Sequence, residues 1–490
     1  MSQVKQYTTA PEDRVPFSHK VIYGLGGFAN NLLGQAMVGM MIVLNLGFGM
    51  NPALVGLLGA LPRLTDALTD PLMGYISDNT RSKWGRRRPY IFIGAILSGI
   101  VLAMLWQMPD GKSENWYFIY FLIGSIIFYL AYTVFATPWV ALGYELTPDY
   151  NERTRLMGVQ NFIGQLAFVV APWFLLIMTY EGFFADQKEG AKGLAIIIAV
   201  VVIGIGILPA IFLRERFSES AEEAQVRADK KQGSGLLANL TDFFRGFALV
   251  LKTKPFVLLC VATFLVFNGF MLISSFQFYV IIYYVFGGDQ LLGAEWAGWA
   301  GTAQGIALFG VVALSTWLGT RFGKRKALMV TTAVSMVGYA LKWVCYNPEI
   351  PWLVVIPAPL MAFGLGGLFT LMPSMVADVV DLDELSTHER REGMYGSIYW
   401  WVVKLGIAAA LAGGGYLLNA TGFDVALEGA QTENTIFLLR LFDVGVPILA
   451  SAIAIWAVAR FPITEDRAYE IRAELDQRRG GTAEGLVPAV

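Results

Sequence analysis

Charges stand where an apolar helix should tolerate none. The segment LPRLTDALTDPLMGY holds Arg63, Asp66 and Asp70, with Thr69 beside the last. Read as a helix, residues four apart share a face, so Asp66 and Asp70 lie together and Arg63 lies one turn before Asp66. Two carboxylates that close repel, and one takes up a proton unless a cation intervenes. Oxygen ligands on one face suit a hard ion such as sodium. Alternatively, one carboxylate carries a coupling proton, or Arg63 and Asp66 form a structural salt bridge and nothing more. Lys404, in YGSIYWWVVKLGIAAA, is a lone ammonium in another apolar run and needs a counter-charge. Asp66 and Asp70 are its nearest candidates by topology, and Lys404 would then link a cation site to a solute site.

Amides and aromatics recur in the same kind of setting. Asn30, Asn31 and Gln35 fall in one apolar run, Asn161 and Gln165 in another, Asn268 and Gln277 in a third. Tyr132 and Trp139 flank Pro138 on one side and the other, and Tyr399 and Trp400 precede Lys404. Amides hydrogen-bond hydroxyl groups, and an aromatic ring stacks on the apolar face of a sugar, so these are candidate solute contacts. The competing reading is that the amides bridge helices and the tryptophans sit at a membrane interface.

The elements that must position these groups are apolar spans. Of 490 residues, 56% are hydrophobic and 15% charged, against about a quarter charged in soluble domains. About 20 apolar residues cross a bilayer core. The pattern predicts twelve spans, at 21–49, 52–77, 90–108, 116–145, 157–180, 193–213, 255–286, 297–319, 326–346, 351–380, 393–420 and 434–461. Lipid offers no partner to an open strand edge, so the spans are helical and the fold class is an all-α polytopic membrane protein. The expected organisation is an N-terminal segment at 1–20, a six-helix bundle at 21–213, a hydrophilic linker at 214–254, a second six-helix bundle at 255–461 and a tail at 462–490. Two six-helix halves joined by such a linker match the major facilitator fold.

Lysine and arginine cluster in the 2–3 loop (Arg81, Lys83, Arg86, Arg87, Arg88) and the 8–9 loop (Arg321, Lys324, Arg325, Lys326). By the positive-inside bias both termini and the linker are expected in the cytoplasm. The tail beyond Pro462 reads as solvated, and Lys342 and Arg440 as side chains that snorkel outward. The N-terminal segment is polar and does not read as a signal peptide.

Several classes are disfavoured. A net charge of −2 gives no field for nucleic acid. Cys260 and Cys345 both lie in apolar runs, and the two histidines, His19 and His388, are far apart in sequence, so no metal site is expected beyond a transported sodium. No GxxxxGK[ST] phosphate loop and no catalytic constellation is present, so neither an enzyme nor an ATP-driven pump is expected, and no cofactor. The lipid bilayer and a small solute are the expected partners, and a monomer the expected working unit.

The halves echo each other. Gly74, Asp78, Arg81, Gly85, Arg86, Arg87 and Arg88 follow the second span; Gly319, Arg321, Gly323, Lys324, Arg325 and Lys326 follow the eighth. The first set up to Arg87, with Glu145, Asp378 and Asp381, is the candidate cytoplasmic gate. At these residues the chain resembles the melibiose permease-like family of glycoside–pentoside–hexuronide:cation symporters. The resemblance is carried by DALTDPLMGYISDNTRSKWGRRRPY (Asp66 to Tyr90), by MVADVVDLDELSTHERREGMYGSIYWWVVKLG (Met375 to Gly406) and by YGLGGF (Tyr23 to Phe28). It implies a major facilitator fold, alternating access at a bacterial-type cytoplasmic membrane, and sugar uptake driven by sodium or protons. It implies a cation site at Asp66, Thr69, Asp70 and Thr133 and a coupling lysine at Lys404. The family's sugar-site residues are replaced: its span-one aspartate falls on Asn31, its span-four aspartate on Ala136, the neighbouring tryptophan on Val140 with Trp139 one place earlier, and its span-five arginine on Asn161. GRRRP, Gly85 to Pro89, also resembles the related sucrose and maltose transporters. A cation-coupled carrier of a non-sugar solute, such as a lysolipid, glycoside conjugate or drug, is the alternative.

Overall fold

Long helices form where the hydropathy places them. The computed structural model describes residues 11–147, 149–215, 252–388 and 391–478; a few side chains within helices, those of Asp66 and Asp78 among them, lie outside the described set. Numbered in chain order, the long helices are α1 Phe17–Gly39, α2 Pro52–Asn79, α3 Arg88–Leu105, α4 Glu114–Glu145, α5 Tyr150–Val170, α6 Gln187–Gly206, α7 Lys254–Tyr279, α8 Gln290–Phe322, α9 Lys324–Cys345, α10 Pro357–Thr387, α11 Glu392–Ala420, α12 Glu433–Ala459 and α13 Glu465–Arg478. Short side-chain caps start several of them. Asp149 accepts from Glu152 N–H at 2.7 Å, Asp186 from Glu189 at 2.8 Å and Asp289 from Leu292 at 3.0 Å, each satisfying an N–H that the first helical turn leaves open.

Among the described residues, eleven helical segments are long and apolar enough to cross a membrane. Of the helices expected as spans, the one outside that set is α2, whose apolar part is Pro52–Thr65. Its 28 residues reach roughly 40 Å at about 1.5 Å per residue, more than a ~30 Å hydrocarbon core. Charge is what sets α2 apart from the other spans, and that charge belongs to the candidate site.

The chain falls into two compact units, Met1–Met50 with Leu61–Gly233 and Asn51–Ala60 with Ser234–Val490. In the first, α1 packs on α5 and α6, and α3 packs on α4 and α6. In the second, α7 packs on α11 and α12, and α9 packs on α10 and α12. The same pairing therefore occurs twice, as the echoed loops led us to expect. Close approach is also repeated. A Cβ on Gly94 of α3 would lie 2.7 Å from Phe135 Cα of α4, and one on Gly338 of α9 would lie 2.9 Å from Met361 N of α10.

Two expectations are corrected. Lys342 does not snorkel outward: its side chain is 0% exposed and its Nζ lies 2.5 Å from Oδ1 of Asp443, itself 1% exposed. The buried carboxylate on α12 outweighs the pull of the interface. The tail is not simply solvated either. Helix α13 buries Ile471 and Leu475 in the core of the second unit and packs on α10, where Arg478 Nη1 donates to Leu385 O at 2.7 Å. Isoleucine and leucine four apart make the apolar stripe that docks it. The expected linker lies outside the described residues apart from 214–215 and 252–254, as do 1–10 and 479–490.

Candidate cation and solute site

Helices α2 and α4 bring their polar stripes together in the first unit. Tyr129, Thr133 and Thr137 follow at intervals of four along α4 and so share a face. Asp70 meets that face: Thr133 Oγ1 donates to its Oδ1 at 3.1 Å and Thr137 Oγ1 to the same oxygen at 3.4 Å. Thr69 Oγ1 and Thr133 Oγ1 are 3.4 Å apart. Two turns earlier on α2, the Arg63 guanidinium lies 4.9 Å from the Tyr129 ring centroid, a cation–π contact. Thr69, Asp70 and Thr133, expected together, are thus brought together. Thr137 was missed, although its spacing of four from Thr133 was a readable signal.

The candidate solute residues divide. In the first unit Asn30 Oδ1 and Gln165 Oε1 are buried acceptors without a hydrogen-bond donor among the described residues. Asn31 instead braces α1 to α5, its Nδ2 donating to Gly164 O at 3.0 Å. Trp139 is 4% exposed, stacks on Tyr23 and Phe135, and donates from Nε1 to Tyr23 O at 3.3 Å. Its ring contacts and its N–H are therefore engaged inside the bundle, and little of it is left exposed to a sugar. Asn161 is exposed, Gln35 is half-buried, and Tyr132 stacks on Phe128. In the second unit Tyr399 is buried, and Trp400 is 53% exposed and stacks on Phe369. Asn268 Nδ2 turns back to Phe264 O at 2.8 Å, Gln277 is buried, and Lys404 is half-buried on α11.

The candidate gate residues form ion pairs within each unit. Arg86 and Arg87 both pair with Glu145, the latter at 3.1 Å. Gly85 turns the loop at φ +99°, a conformation that L side chains rarely adopt. Glu215 then accepts the backbone N–H groups of Arg86, Arg87 and Arg88 at 2.9, 2.8 and 3.2 Å, capping the start of α3. This role of Glu215 was missed, because the residue that it caps lies more than a hundred positions away. In the second unit Lys324 pairs with Asp378 at 2.7 Å, and Arg391 approaches Asp383 at 3.7 Å. Arg81 is exposed and Asp381 half-buried.

The family described as MFS/sugar transport protein matches residues 22–465. The chain belongs to this family. It is a multi-pass membrane transporter rather than an enzyme. The isoprimeverose transporter of Lactiplantibacillus pentosus is 24% identical over 95% of this chain and 93% of that one. The sodium-dependent lysophosphatidylcholine symporter 1 of Gallus gallus is 23% identical over 95% and 90%. Among solved structures, a bacterial homologue of the human lysosomal transporter Spinster superposes with a TM-score of 0.66 at 17% identity, covering 93% of this chain and 98% of that one. That last likeness speaks for the fold alone. The family match agrees with the resemblance carried by the Asp66 to Tyr90 and Met375 to Gly406 segments.

Proposed function

We propose that this transporter is a cation-coupled symporter of the plasma membrane that takes up a glycoside or oligosaccharide by alternating access. The observation that carries the coupling is the Asp70 carboxylate under the hydroxyls of Thr133 and Thr137, with Thr69 alongside. An ionisable group inside a span is expensive and calls for a functional reason. Sodium or a proton bound at Asp70 raises the affinity for the solute, and the solute must raise that for the ion by the same factor. Asn30 and Gln165 offer acceptors to hydroxyl groups, and Lys404 is the second unit's coupling cation. The working unit is a monomer.

The test is uptake of a panel of labelled mono- and disaccharides into proteoliposomes under an imposed sodium or proton gradient. Gradient-dependent accumulation of one sugar supports the reading and names sugar and ion together. Asp70→Asn should then abolish concentrative uptake in a folded protein; undiminished accumulation would remove Asp70 from the coupling. A non-sugar amphiphile is the second reading, favoured by Asn31, Ala136 and Asn161 where the family's sugar site has charged groups, and by the chicken relative, a lysophosphatidylcholine symporter. Binding of a lysolipid, with no sugar accumulated by sealed and loaded vesicles, would decide for it.

A further inference from the structure

The resemblance supplies Asp66, Thr69, Asp70 and Thr133, but not Thr137. Yet Thr137 reaches the same carboxylate oxygen as Thr133. Its Cγ2 methyl is also the nearest neighbour of Gly74, 3.8 Å from where a Cβ would stand, so the residue faces α2 one turn beyond Asp70. The separations carry information. A good O–H···O hydrogen bond is about 2.7–2.8 Å long. The oxygen pairs here are 3.1, 3.4 and 3.4 Å apart. Oxygens around a hard cation held at ~2.4 Å, the distance typical of calcium and of the similarly sized sodium, are separated by roughly 3.4 Å along an octahedral edge. Thr133 and Thr137 thus stand from Asp70 Oδ1 at separations that ligands of one such ion would also have.

We propose that Thr137 is a further cation ligand of this site and biases it toward an ion of sodium size over a proton. This rests on the cation-symport reading and deepens it. An added hydroxyl completes the shell of a cation, which gains from every oxygen around it. A proton on Asp70 forms one covalent bond and one hydrogen bond, so a third hydroxyl adds little. The serine variant keeps the oxygen, and the valine variant keeps the shape and loses it.

The experiment needs no solute. Thermal unfolding of the purified full chain is followed in NaCl, with choline chloride holding ionic strength, and separately as a function of pH. Wild type, Thr137→Val, Thr137→Ser and, should the valine variant not fold, Thr137→Ala are compared. Sodium should protect the wild type. The valine variant should need about tenfold more sodium for half-maximal protection, the loss expected for one contact to a charge. Its pH response should be unchanged, and the serine variant should match the wild type. A lower unfolding temperature with an unmoved sodium midpoint would make Thr137 structural and overturn the inference while leaving symport intact. A wild type that responds to pH and not to sodium would overturn the ion preference alone. A wild type indifferent to both would sink the cation-symport reading itself.

Discussion

The contact of α3 with α6 and that of α9 with α12 occupy the same place in the two repeated units, yet they are built from opposite chemistry. In the first, Gly99 lets the helices close: a Cβ there would stand 2.6 Å from Ile203 Cγ1 and 3.1 Å from Ala199 O. In the second, the wholly buried Lys342 and Asp443 meet across the seam. Packing of small residues is indifferent to which neighbour supplies the surface. A buried ion pair is demanding, because each charge without the other pays several kcal/mol of desolvation. In the first unit Asp70 stands on a face lined by hydroxyls, while in the second Asp443 is built into a helix seam. Equivalent topology therefore does not make in-span charges equivalent in role.

The largest effect should come from breaking the pair on one side. Lys342→Met or Asp443→Leu alone should cost about 3–5 kcal/mol, while the double variant should recover most of it. Thermal unfolding and the folded fraction on size exclusion measure this. Equal damage in the double and single variants would mean that the charges do more than hold the seam. A smaller effect is expected in the first unit, where Gly99→Val overpacks the contact at about 1–3 kcal/mol. No loss there would show that Ile203 yields, and that the glycine is not what sets the spacing. The smallest effect contrasts the two basic loops. Arg88 Nε donates to Ala210 O at 2.6 Å, and Arg325 Nη1 to Phe461 O at 3.0 Å, so each loop holds the end of its unit's last span. Glu215 caps three N–H groups, whereas Glu465 is known by its closeness to Gly323, whose Cβ would stand 3.0 Å from its Oε2. Glu215→Ala should cost about 0.5–2 kcal/mol, as a lost helix cap does, and Glu465→Ala less. Hydrogen exchange at the start of α3 and of α9 would rank them.

Much of the fold was legible because hydropathy is a local property and lipid forces its consequence. The expected span at 393–420 differs from α11 by one residue, and that at 116–145 from α4 by two at its start. Part of the candidate grouping was legible: Asp70 beside Thr69 in the sequence, and Thr133 by resemblance; Asp66, placed on the same face by helical spacing, has its side chain outside the described residues. Thr137 had the same spacing but no charge to attract notice. Lys342 misled because a lysine near a helix end usually reaches the interface, and nothing nearby in sequence announces Asp443, which lies 101 residues on. Trp139 was read as a sugar platform from its type, whereas only its neighbours Tyr23 and Phe135 decide that it is packed inside the bundle.

By itself the sequence determined that this chain lives in a bilayer as apolar helices, that its halves repeat, and which charges stand inside the spans. These follow from composition and period, which need no partner. Only the tertiary structure decided which charge meets hydroxyls and which is paired in a seam. That choice depends on what a distant helix presents at a few ångströms: hydroxyls of α4 to Asp70, and an ammonium of α9 to Asp443.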